Sequence, residues 1–287
     1  MIDLPVRSGP TPLVPLDRLS PKPGVRLLAK LEWHNPTGSV KDRPARWMVD
    51  AAERDGLIAP GDRLLEPSSG NTGIALARIA LLRGYDLTVV VPSNVSAERV
   101  NLLASFGAEV VESPGEEGSN GAIRLAEDMA SSGEYTMLFQ YANKANPQAH
   151  YETTGPEILD QAGEVDVFVS GLGTGGTLMG TGRALKEANP ATKVIAAEPP
   201  AGEMVMGLRS LEDGYQPPIF DPAAIDGKIL VGTEASVIGT RRLLSEEGLF
   251  AGLSSGAALH AALRWAERID EGTIVVLMAD AGWKYLS

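Results

Sequence analysis

The 287-residue sequence predicts a doubly wound α/β protein, in which parallel strands are covered by helices on both faces. Two observations support this fold class. Short apolar runs alternate with longer segments of helical periodicity along nearly the whole chain. Runs such as 87–91 (L-T-V-V-V) are continuously apolar, as strands buried on both faces require. Turns rich in glycine and serine stand where a predicted strand meets the next helix, so functional sites are expected at the carboxyl ends of the strands.

The predicted elements follow one another at regular intervals, and several have recognisable ends. Gly84 ends the helix 72–83, and the helix 96–106 begins with a Ser-Ala-Glu segment and is ended by Gly107. Residues 199–227, rich in proline and glycine, interrupt the alternation and are predicted to form a loop. Two domains are expected, divided near residue 142. The predicted strands cover 26–31, 63–66, 87–91, 109–112, 136–141, 165–170, 193–198 and 273–278, and the predicted helices 44–54, 72–83, 96–106, 120–130, 151–161, 177–188, 235–247 and 257–267.

The composition argues against several classes of function. A net charge of −12 disfavours a nucleic acid or an anionic membrane as partner. The absence of cysteine removes disulfides, thiolate nucleophiles and zinc fingers. His34, His150 and His260 are far apart in the sequence, so no metal site is predicted, and each is expected to be a surface or internally hydrogen-bonded residue. No signal segment or membrane-spanning run is recognised, and a cytoplasmic location is therefore expected.

The first of three candidate loops, E-P-S-S-G-N-T-G at 66–73, follows a predicted strand. Its successive backbone N–H groups and the hydroxyls of Ser68, Ser69 and Thr72 would form a donor-rich concavity suited to a carboxylate. An ordinary capped helix start would have the same residues. The spacing alone leaves both interpretations open.

The second loop, S-G-L-G-T-G-G-T at 170–177, has four glycines that allow the backbone to close around a phosphate at the start of a helix. An alternative is open here. Gly171, Gly173 and Gly176 fit G-x-G-x-x-G, and Glu198 ends the next strand, as in a dinucleotide-binding unit. An ATP-binding P-loop is excluded because no lysine follows the glycines. A third glycine-serine corner lies at 251–258.

Lys41 stands in the segment N-P-T-G-S-V-K-D-R-P, residues 35–44, at a predicted strand-to-helix corner. Ser39 is expected to cap a helix that begins near Val40, with Asp42 in its first turn, where the helix dipole favours a carboxylate. On spacing alone, Lys41 would be an ordinary solvated lysine.

Together these segments resemble the cysteine synthase family, fold-type II (tryptophan synthase β-like) enzymes that use pyridoxal 5′-phosphate (PLP). N-P-T-G-S-x-K-D-R resembles the family's cofactor-lysine segment, and E-P-S-S-G-N-T-G its E-P-T-S-G-N-T-G substrate loop, with Ser68 in place of threonine. G-T-G-G-T at 173–177 resembles its phosphate loop, and G-L-S-S-G-A its G-I-S-S-G-A segment. The segments occur in the family's order, and the likeness runs from about Thr11 to Ser287.

The resemblance implies two doubly wound domains with the cofactor in the cleft between them. The larger domain would comprise residues 9–32 and 142–287, and the smaller, mobile domain residues 1–8 and 33–141. Lys41 would form the Schiff base with PLP and act as general base, Asn71 would bond the 3′ oxygen, and Ser254 would face the pyridine nitrogen. The phosphate would be bound by Gly173, Thr174, Gly175, Gly176 and Thr177.

The resemblance also implies β-replacement on an activated serine, through an α-aminoacrylate, to form L-cysteine. A hydroxyl at Ser254 would not hold the ring nitrogen protonated, which favours prompt loss of the β-leaving group. The enzyme would be a transferase of cysteine biosynthesis and a homodimer, with sulfide, thiosulfate or a thiocarboxylated small sulfur-carrier protein as sulfur donor. The substrate carboxylate would be bound by Ser68, Ser69, Gly70, Asn71 and Thr72, assisted by Gln140.

Residues 206–215 (M-G-L-R-S-L-E-D-G-Y) resemble the branch of the family that uses O-phosphoserine. Many O-acetylserine enzymes carry a G-P-H-K-I-Q-G-I-G-like stretch instead. Arg209 is the predicted ligand of the substrate phosphate, because a guanidinium can hold a dianion by paired hydrogen bonds. From the residues alone, Arg209 could equally pair with Glu212 or Asp213. O-acetylserine as substrate, a nicotinamide-dependent oxidoreductase and a non-catalytic ligand-binding protein remain as alternatives.

Overall fold

The computed structural model describes residues 9–68 and 70–286. Within them the chain forms two compact units, one of residues 41–146 and the other of residues 9–40 and 147–286. The sequence placed the limits after residues 32 and 141, so 33–40 and 142–146 lie in the other unit from the one expected. The expectations for residues 1–8, Ser69 and Ser287 lie outside the described residues. No helix in the described part of the chain is long and apolar enough to cross a bilayer.

Strands and helices alternate along the chain as expected. The strands are β1 (Leu13–Pro15), β2 (Val25–Leu31), β3 (Arg63–Pro67), β4 (Asp86–Pro92), β5 (Glu109–Ser113), β6 (Thr136–Met137), β7 (Val167–Gly171), β8 (Lys193–Glu198), β9 (Gly227–Leu230) and β10 (Gly272–Met278). The helices are α1 (Asp42–Arg54), α2 (Asn71–Arg83), α3 (Ala97–Ser105), α4 (Gly118–Ala130), α5 (Ala145–Ala149), α6 (Gly155–Ala162), α7 (Gly176–Ala188), α8 (Thr233–Glu247) and α9 (Leu253–Ala266). A π-helical turn, His150–Thr154, joins α5 to α6.

The first unit is built on a parallel sheet with strand order β5-β4-β3-β6. Both faces are covered. Val89 and Val91 of β4 pack in one apolar cluster with side chains of α1, α2 and α3, whereas Val90 packs in a second cluster with α4. Because successive strand residues point to opposite faces, burial on both sides explains why this strand is continuously apolar.

The second unit is built on a sheet with strand order β1-β2-β10-β7-β8-β9, parallel except for β1, which runs antiparallel to β2. One face packs against α8 and α9, the other against α6 and α7. Helices on both faces place the strand-to-helix loops at the carboxyl edge of the sheet. The glycine loop that follows β7 is one of them.

The predicted strands differ from the observed strands mainly in three places. The strand expected at 136–141 ends at Met137, because Phe139 has φ +55°, a left-handed conformation that an extended strand cannot contain. The sequence missed β1, which has only three residues. It also missed β9, an edge strand whose half-buried and exposed residues give no apolar run.

The predicted cap at the start of α1 is wrong. Ser39 forms an isolated β-bridge with Asp280, and the N–H of Val40 donates to the carbonyl of Ala279 at 2.8 Å. The residue before α1 is Lys41, and no side chain caps the helix there. The backbone at Ser39 and Val40 is therefore occupied by pairing with the segment after β10, which delays the helix to Asp42.

Candidate active site

The glycine loop of the second unit forms a close-packed turn between β7 and α7. Gly175 has φ +87°, and a Cβ on it would lie 2.7 Å from Cδ2 of Phe220. A Cβ on Gly173 would lie 2.9 Å from the carbonyl oxygen of Gly207. The hydroxyl of Thr174 accepts a hydrogen bond from the N–H of Gly176 at 3.3 Å. The loop therefore requires glycine and presents backbone N–H groups at the amino end of a 13-residue helix, as a phosphate needs.

The segment that follows Met206 lies directly against this loop. The N–H of Arg209 donates to the carbonyl of Leu172 at 2.8 Å. A side chain on Gly171 would clash with Leu208. The guanidinium of Arg209 lies over the ring of Tyr215, 4.9 Å from its centroid. The backbone of Arg209, the predicted ligand of the substrate phosphate, is thus hydrogen-bonded to the glycine loop.

Ser254, in the first turn of α9, lies beside the same segment. A Cβ on Gly207, whose φ is +86°, would lie 3.7 Å from the hydroxyl of Ser254. The Ser254 side chain is buried. The structure thus brings together, within the second unit, Ser254, the glycine loop and the segment that carries Arg209.

His150 is buried next to the glycine loop. Its Nε2 lies 3.3 Å from the Thr177 hydroxyl, and its Nδ1 lies 2.9 Å from that of Thr154. His150 begins the π-helical turn, a local widening that is frequent at functional sites. Gly180 of α7 packs so closely that a Cβ there would clash with the carbonyl of Pro147. A contact of His150 with the loop was not predicted, since the spacing between residues 150 and 177 carries no motif.

The serine-rich loop of the first unit connects β3 to α2. The Ser68 hydroxyl accepts hydrogen bonds from the N–H of Gly73 at 3.1 Å and of Gly70 at 3.5 Å. A Cβ on Gly73 would lie 2.7 Å from the carbonyl of Ser68. Asn71 is the first residue of α2. A tight turn is therefore present at the described residues, and Ser68 holds its two ends together.

Gln140 is joined to this loop by side-chain contacts. The Thr72 hydroxyl donates to Oε1 of Gln140 at 2.7 Å. The N–H of Gln140 donates to Oε1 of Glu66 at 3.1 Å. All three residues are buried. The family resemblance assigned Thr72 and Gln140 to one carboxylate site, and the structure places them in contact. No role was predicted for Glu66, although an acid within a buried strand is a detectable signal.

Glu66 is a buried carboxyl with a strongly altered acidity. Burial raises the pKa of its carboxyl from 4.5 to about 8, while hydrogen bonds from Gln140 and Phe139 act in the opposite direction without cancelling this effect. The charged form is disfavoured because it loses its hydration. At neutral pH the carboxyl is therefore mostly protonated.

We expect the stability of the wild type to fall with rising pH relative to the Glu66→Gln variant. From pH 4.5 to 8 the folded state keeps the Glu66 proton and the unfolded state loses it, so the stability present below 4.5 is lost progressively. Each pH unit costs about 1.4 kcal/mol, or about 2.7 kcal/mol between about pH 5.5 and 7.5. Denaturant unfolding of both proteins, in the same cofactor state, measures this difference. A difference that does not change with pH would mean that Glu66 is ionised in the folded protein.

Lys41 immediately precedes α1 in the first unit. Its carbonyl accepts a hydrogen bond from the N–H of Ala45 at 3.0 Å, and its side chain is half-buried. The next two residues, Asp42 and Arg43, are buried. The corner is therefore part of the packed structure, in contrast to the solvated lysine that the spacing alone would suggest.

Glu198, the acidic residue of the possible dinucleotide-binding unit, contacts other residues of the protein through both carboxylate oxygens. Its side chain is fully buried, Oε1 accepts from the N–H of Leu211 at 2.8 Å, and Oε2 lies 3.1 Å from Nζ of Lys228. A ribose-binding carboxylate must present its oxygens to the ligand. The glycine loop therefore lacks the acidic partner that would favour a nicotinamide nucleotide.

The residues present fit PLP. The glycine loop, with φ +87° at Gly175 and the start of α7 behind it, supplies backbone donors for a phosphate. Thr174 and Thr177 add hydroxyls, and Ser254 adds a buried hydroxyl near Gly207. The donor set is rich in N–H and O–H groups, as a phosphorylated cofactor requires.

Comparisons with known proteins agree with this fit. The family model for pyridoxal-phosphate dependent enzymes matches residues 6–280. The chain is similar to cysteine synthase B of Pseudomonas aeruginosa, 44% identical over 280 residues, which cover 97% of this chain and 94% of that protein. The probable cysteine synthase of Bacillus subtilis is also 44% identical, over 292 residues, with the same two coverages.

Among solved structures, cysteine synthase (OASS) from Entamoeba histolytica superposes with a TM-score of 0.91 at 36% identity, covering 97% of this chain and 87% of that one. The expected α/β fold with two domains of parallel sheets, the PLP cofactor and the assignment as an enzyme are confirmed by these matches. The chain belongs to the cysteine synthase family of pyridoxal-phosphate dependent enzymes.

Proposed function

We propose that the protein forms L-cysteine by replacing the phosphate of O-phosphoserine with a sulfur nucleophile. Membership of the family gives the reaction class, PLP-dependent β-replacement of the cysteine synthase type. The choice of phosphoserine rests on one observation, the position of Arg209 on a segment bonded to the glycine loop. O-acetylserine is the alternative substrate.

The cofactor, when bound, supplies an electron sink that allows the α-proton and then the β-substituent of an amino acid to leave. Lys41 would hold it through the side-chain amine and, once displaced by the substrate, would remove the α-proton as general base. Asn71 would bond the 3′ oxygen, and Ser254 would face the pyridine nitrogen. The phosphate would be held by the loop of Gly173, Thr174, Gly175, Gly176 and Thr177.

The loop at the start of α2 would bind the substrate carboxylate. Ser68 would support this role by holding the turn in place through Gly70 and Gly73 at the start of α2. Ser69 is assigned to the same role. Gln140, bonded to Thr72, would complete the set.

Arg209 would hold the phosphate of the substrate. A guanidinium presents two parallel N–H groups to a dianion, and the stacking of Arg209 on the Tyr215 ring restricts the orientation of that plane. Acetate offers no dianion to hold, so the contact would favour phosphoserine. Losing such a contact should cost about 2–4 kcal/mol, or roughly thirty- to a thousandfold in kcat/KM.

The test is cysteine formation from O-phosphoserine and O-acetylserine with sulfide, measured as kcat/KM for the wild type and Arg209→Ala. We expect the wild type to prefer phosphoserine, and the substitution to remove that preference while sparing acetylserine. Arg183→Ala is the matched control. Its guanidinium also lies over a tyrosine ring, that of Tyr151, in the same unit, and the preference should be unchanged.

Two outcomes would contradict these assignments. A wild type that prefers acetylserine would make the alternative substrate correct. An unchanged preference in Arg209→Ala would exclude Arg209 as the phosphate ligand. The variant Arg209→Lys separates charge from geometry, because a lysine keeps the charge but lacks the planar pair of donors.

The sulfur donor and the oligomeric state are further parts of the proposal, supported by the family likeness. We propose free sulfide, thiosulfate or a thiocarboxylated small sulfur-carrier protein as donor, and a homodimer as the assembly. Cysteine formation with each donor in turn, and light scattering of the purified protein, test the two points. The choice of sulfur donor does not depend on the role proposed for Arg209, so measuring cysteine formation from phosphoserine with each donor does not test that residue.

A further inference from the structure

Glu66 is a buried titratable residue that the proposed function leaves without a role. It lies in β3, two positions before Ser68, and is fully buried. One carboxyl oxygen accepts the hydrogen bond of the Gln140 N–H at 3.1 Å, and the other, Oε2, has no hydrogen-bond partner. A carboxyl in such a place is costly, and an apolar side chain would pack there at less cost. The reason for its presence is therefore sought in the hydrogen bond that it accepts from the Gln140 N–H.

That contact fixes an unusual stretch of backbone. Phe139, immediately before Gln140, has φ +55° and is the one non-glycine residue with a positive φ within 9–68 and 70–286. Residues in this region are strained and persist only when their surroundings hold them. Glu66 binds the N–H of Gln140, and the side-chain amide of Asn146 donates to the Gln140 carbonyl at 2.8 Å. Buried side chains therefore hold the main chain of Gln140 on both sides.

The side chain of Gln140 leads from this fixed backbone to the substrate loop. Its Oε1 accepts the hydroxyl of Thr72 at 2.7 Å, and Thr72 lies in the first turn of α2. A shift of the Gln140 backbone would break this hydrogen bond or move α2. The chain of contacts from Glu66 to Gln140 to Thr72 thus joins a strand end to the loop that would bind a carboxylate.

We propose that Glu66 is a positioning residue for the amino-acid carboxylate: by holding the Gln140 main chain, it keeps the Gln140 side-chain amide, whose oxygen accepts the Thr72 hydroxyl, in place to bind that group. The proposal rests on the assignment of Thr72 and Gln140 to the substrate carboxylate. It does not depend on which leaving group or sulfur donor the enzyme uses.

The test measures equilibrium binding of L-alanine, which carries the carboxylate but has no leaving group, and of L-alaninamide, which lacks the carboxylate. Titration calorimetry on the PLP-loaded protein gives both dissociation constants without turnover. Glu66→Leu should weaken L-alanine binding about tenfold, because one hydrogen bond that places the carboxylate ligands is lost, and leave L-alaninamide nearly unchanged. Glu66→Gln retains an oxygen acceptor of the same shape and should bind L-alanine like the wild type.

The controls separate positioning from general stability. Thr88→Val removes a partly buried hydrogen bond of the same sheet, 3.1 Å long, to Glu109, and should not change either dissociation constant. Combining Glu66→Leu with Gln140→Leu should weaken L-alanine binding no more than Gln140→Leu alone, because both act through one contact. If Glu66→Leu does not fold, Glu66→Asp tests the same point, since the shorter side chain draws the acceptor away from Gln140.

Equal losses for L-alanine and L-alaninamide, or additive losses in the double variant, would overturn the proposal. Its failure can be told apart from a failure of the proposed function. A protein that makes no cysteine from phosphoserine but shows the expected L-alanine pattern would refute the substrate assignment and keep the role of Glu66.

Discussion

Replacing Lys41 by alanine is expected to lower cysteine formation by about 10³-fold or more while the protein remains folded. The proposed function gives this residue two tasks, attachment of the cofactor and removal of the α-proton. A positioned acid–base group alone raises the reaction rate by roughly 10²–10⁴-fold. Loss of the side chain should leave the fold intact. Lys41 precedes α1 without capping it by its side chain, and the helix bond it makes uses its main-chain carbonyl.

The measurement combines turnover with covalent attachment. Borohydride reduction of the loaded wild type, followed by peptide mapping, should place PLP on Lys41, and the variant should give no labelled peptide there. Lys144→Ala is the control, because this lysine lies in the same unit and is exposed. Labelling of Lys144 or Lys284 in the wild type would show that Lys41 is not the cofactor lysine.

The parts of the fold that could be predicted from the sequence are those governed by local patterns. The strand at Lys193–Glu198 has the predicted limits, because its central residues are continuously apolar and buried. The close turn between β7 and α7 was also predictable, since glycine allows the positive φ that Gly175 adopts there. In both cases the information lies within about ten residues of chain.

The parts that could not be predicted depend on contacts between distant residues. Ser39 pairs with Asp280 rather than capping a helix, and nothing near Ser39 in the sequence shows that partner. The edge strand β9 forms because β8 pairs with it, although its own residues give no apolar pattern. Contacts of this kind override local propensity.

The same distinction applies to the candidate site. Motifs identified Lys41, Asn71 and the glycine loop as candidates, but the supporting residues carry no motif. Glu66 binds a backbone N–H that is 74 residues away in the sequence, and His150 contacts a hydroxyl 27 residues away. Residues that contact candidate site residues across long sequence separations can be identified only from the folded structure.

Replacing Gly175 by alanine is expected to weaken PLP binding by about a hundredfold or more. Its φ of +87° is unfavourable for alanine, and the new methyl group would lie 2.7 Å from Cδ2 of Phe220 and 2.9 Å from its Cβ. Phe220 is itself buried, so the backbone of the loop must shift instead. That shift would turn the N–H groups at the start of α7 away from the phosphate, and each charged hydrogen bond lost contributes roughly 1.5–3 kcal/mol.

Gly248→Ala isolates the contribution of the phosphate site. Gly248 follows α8 with φ +71° and ψ +16°, close to the φ +87° and ψ −14° of Gly175, and a Cβ there has no neighbour within 4 Å among the described residues. The two substitutions therefore share the backbone strain of a left-handed alanine, but Gly175→Ala alone adds a clash within the loop. The dissociation constant of PLP, measured by fluorescence titration of cofactor-depleted protein, should rise in Gly175→Ala and stay at the wild-type value in Gly248→Ala. Equal affinities in the two variants would show that the loop of residues 173–177 does not bind the phosphate, because both glycines have a left-handed backbone and only Gly175 lies in that loop.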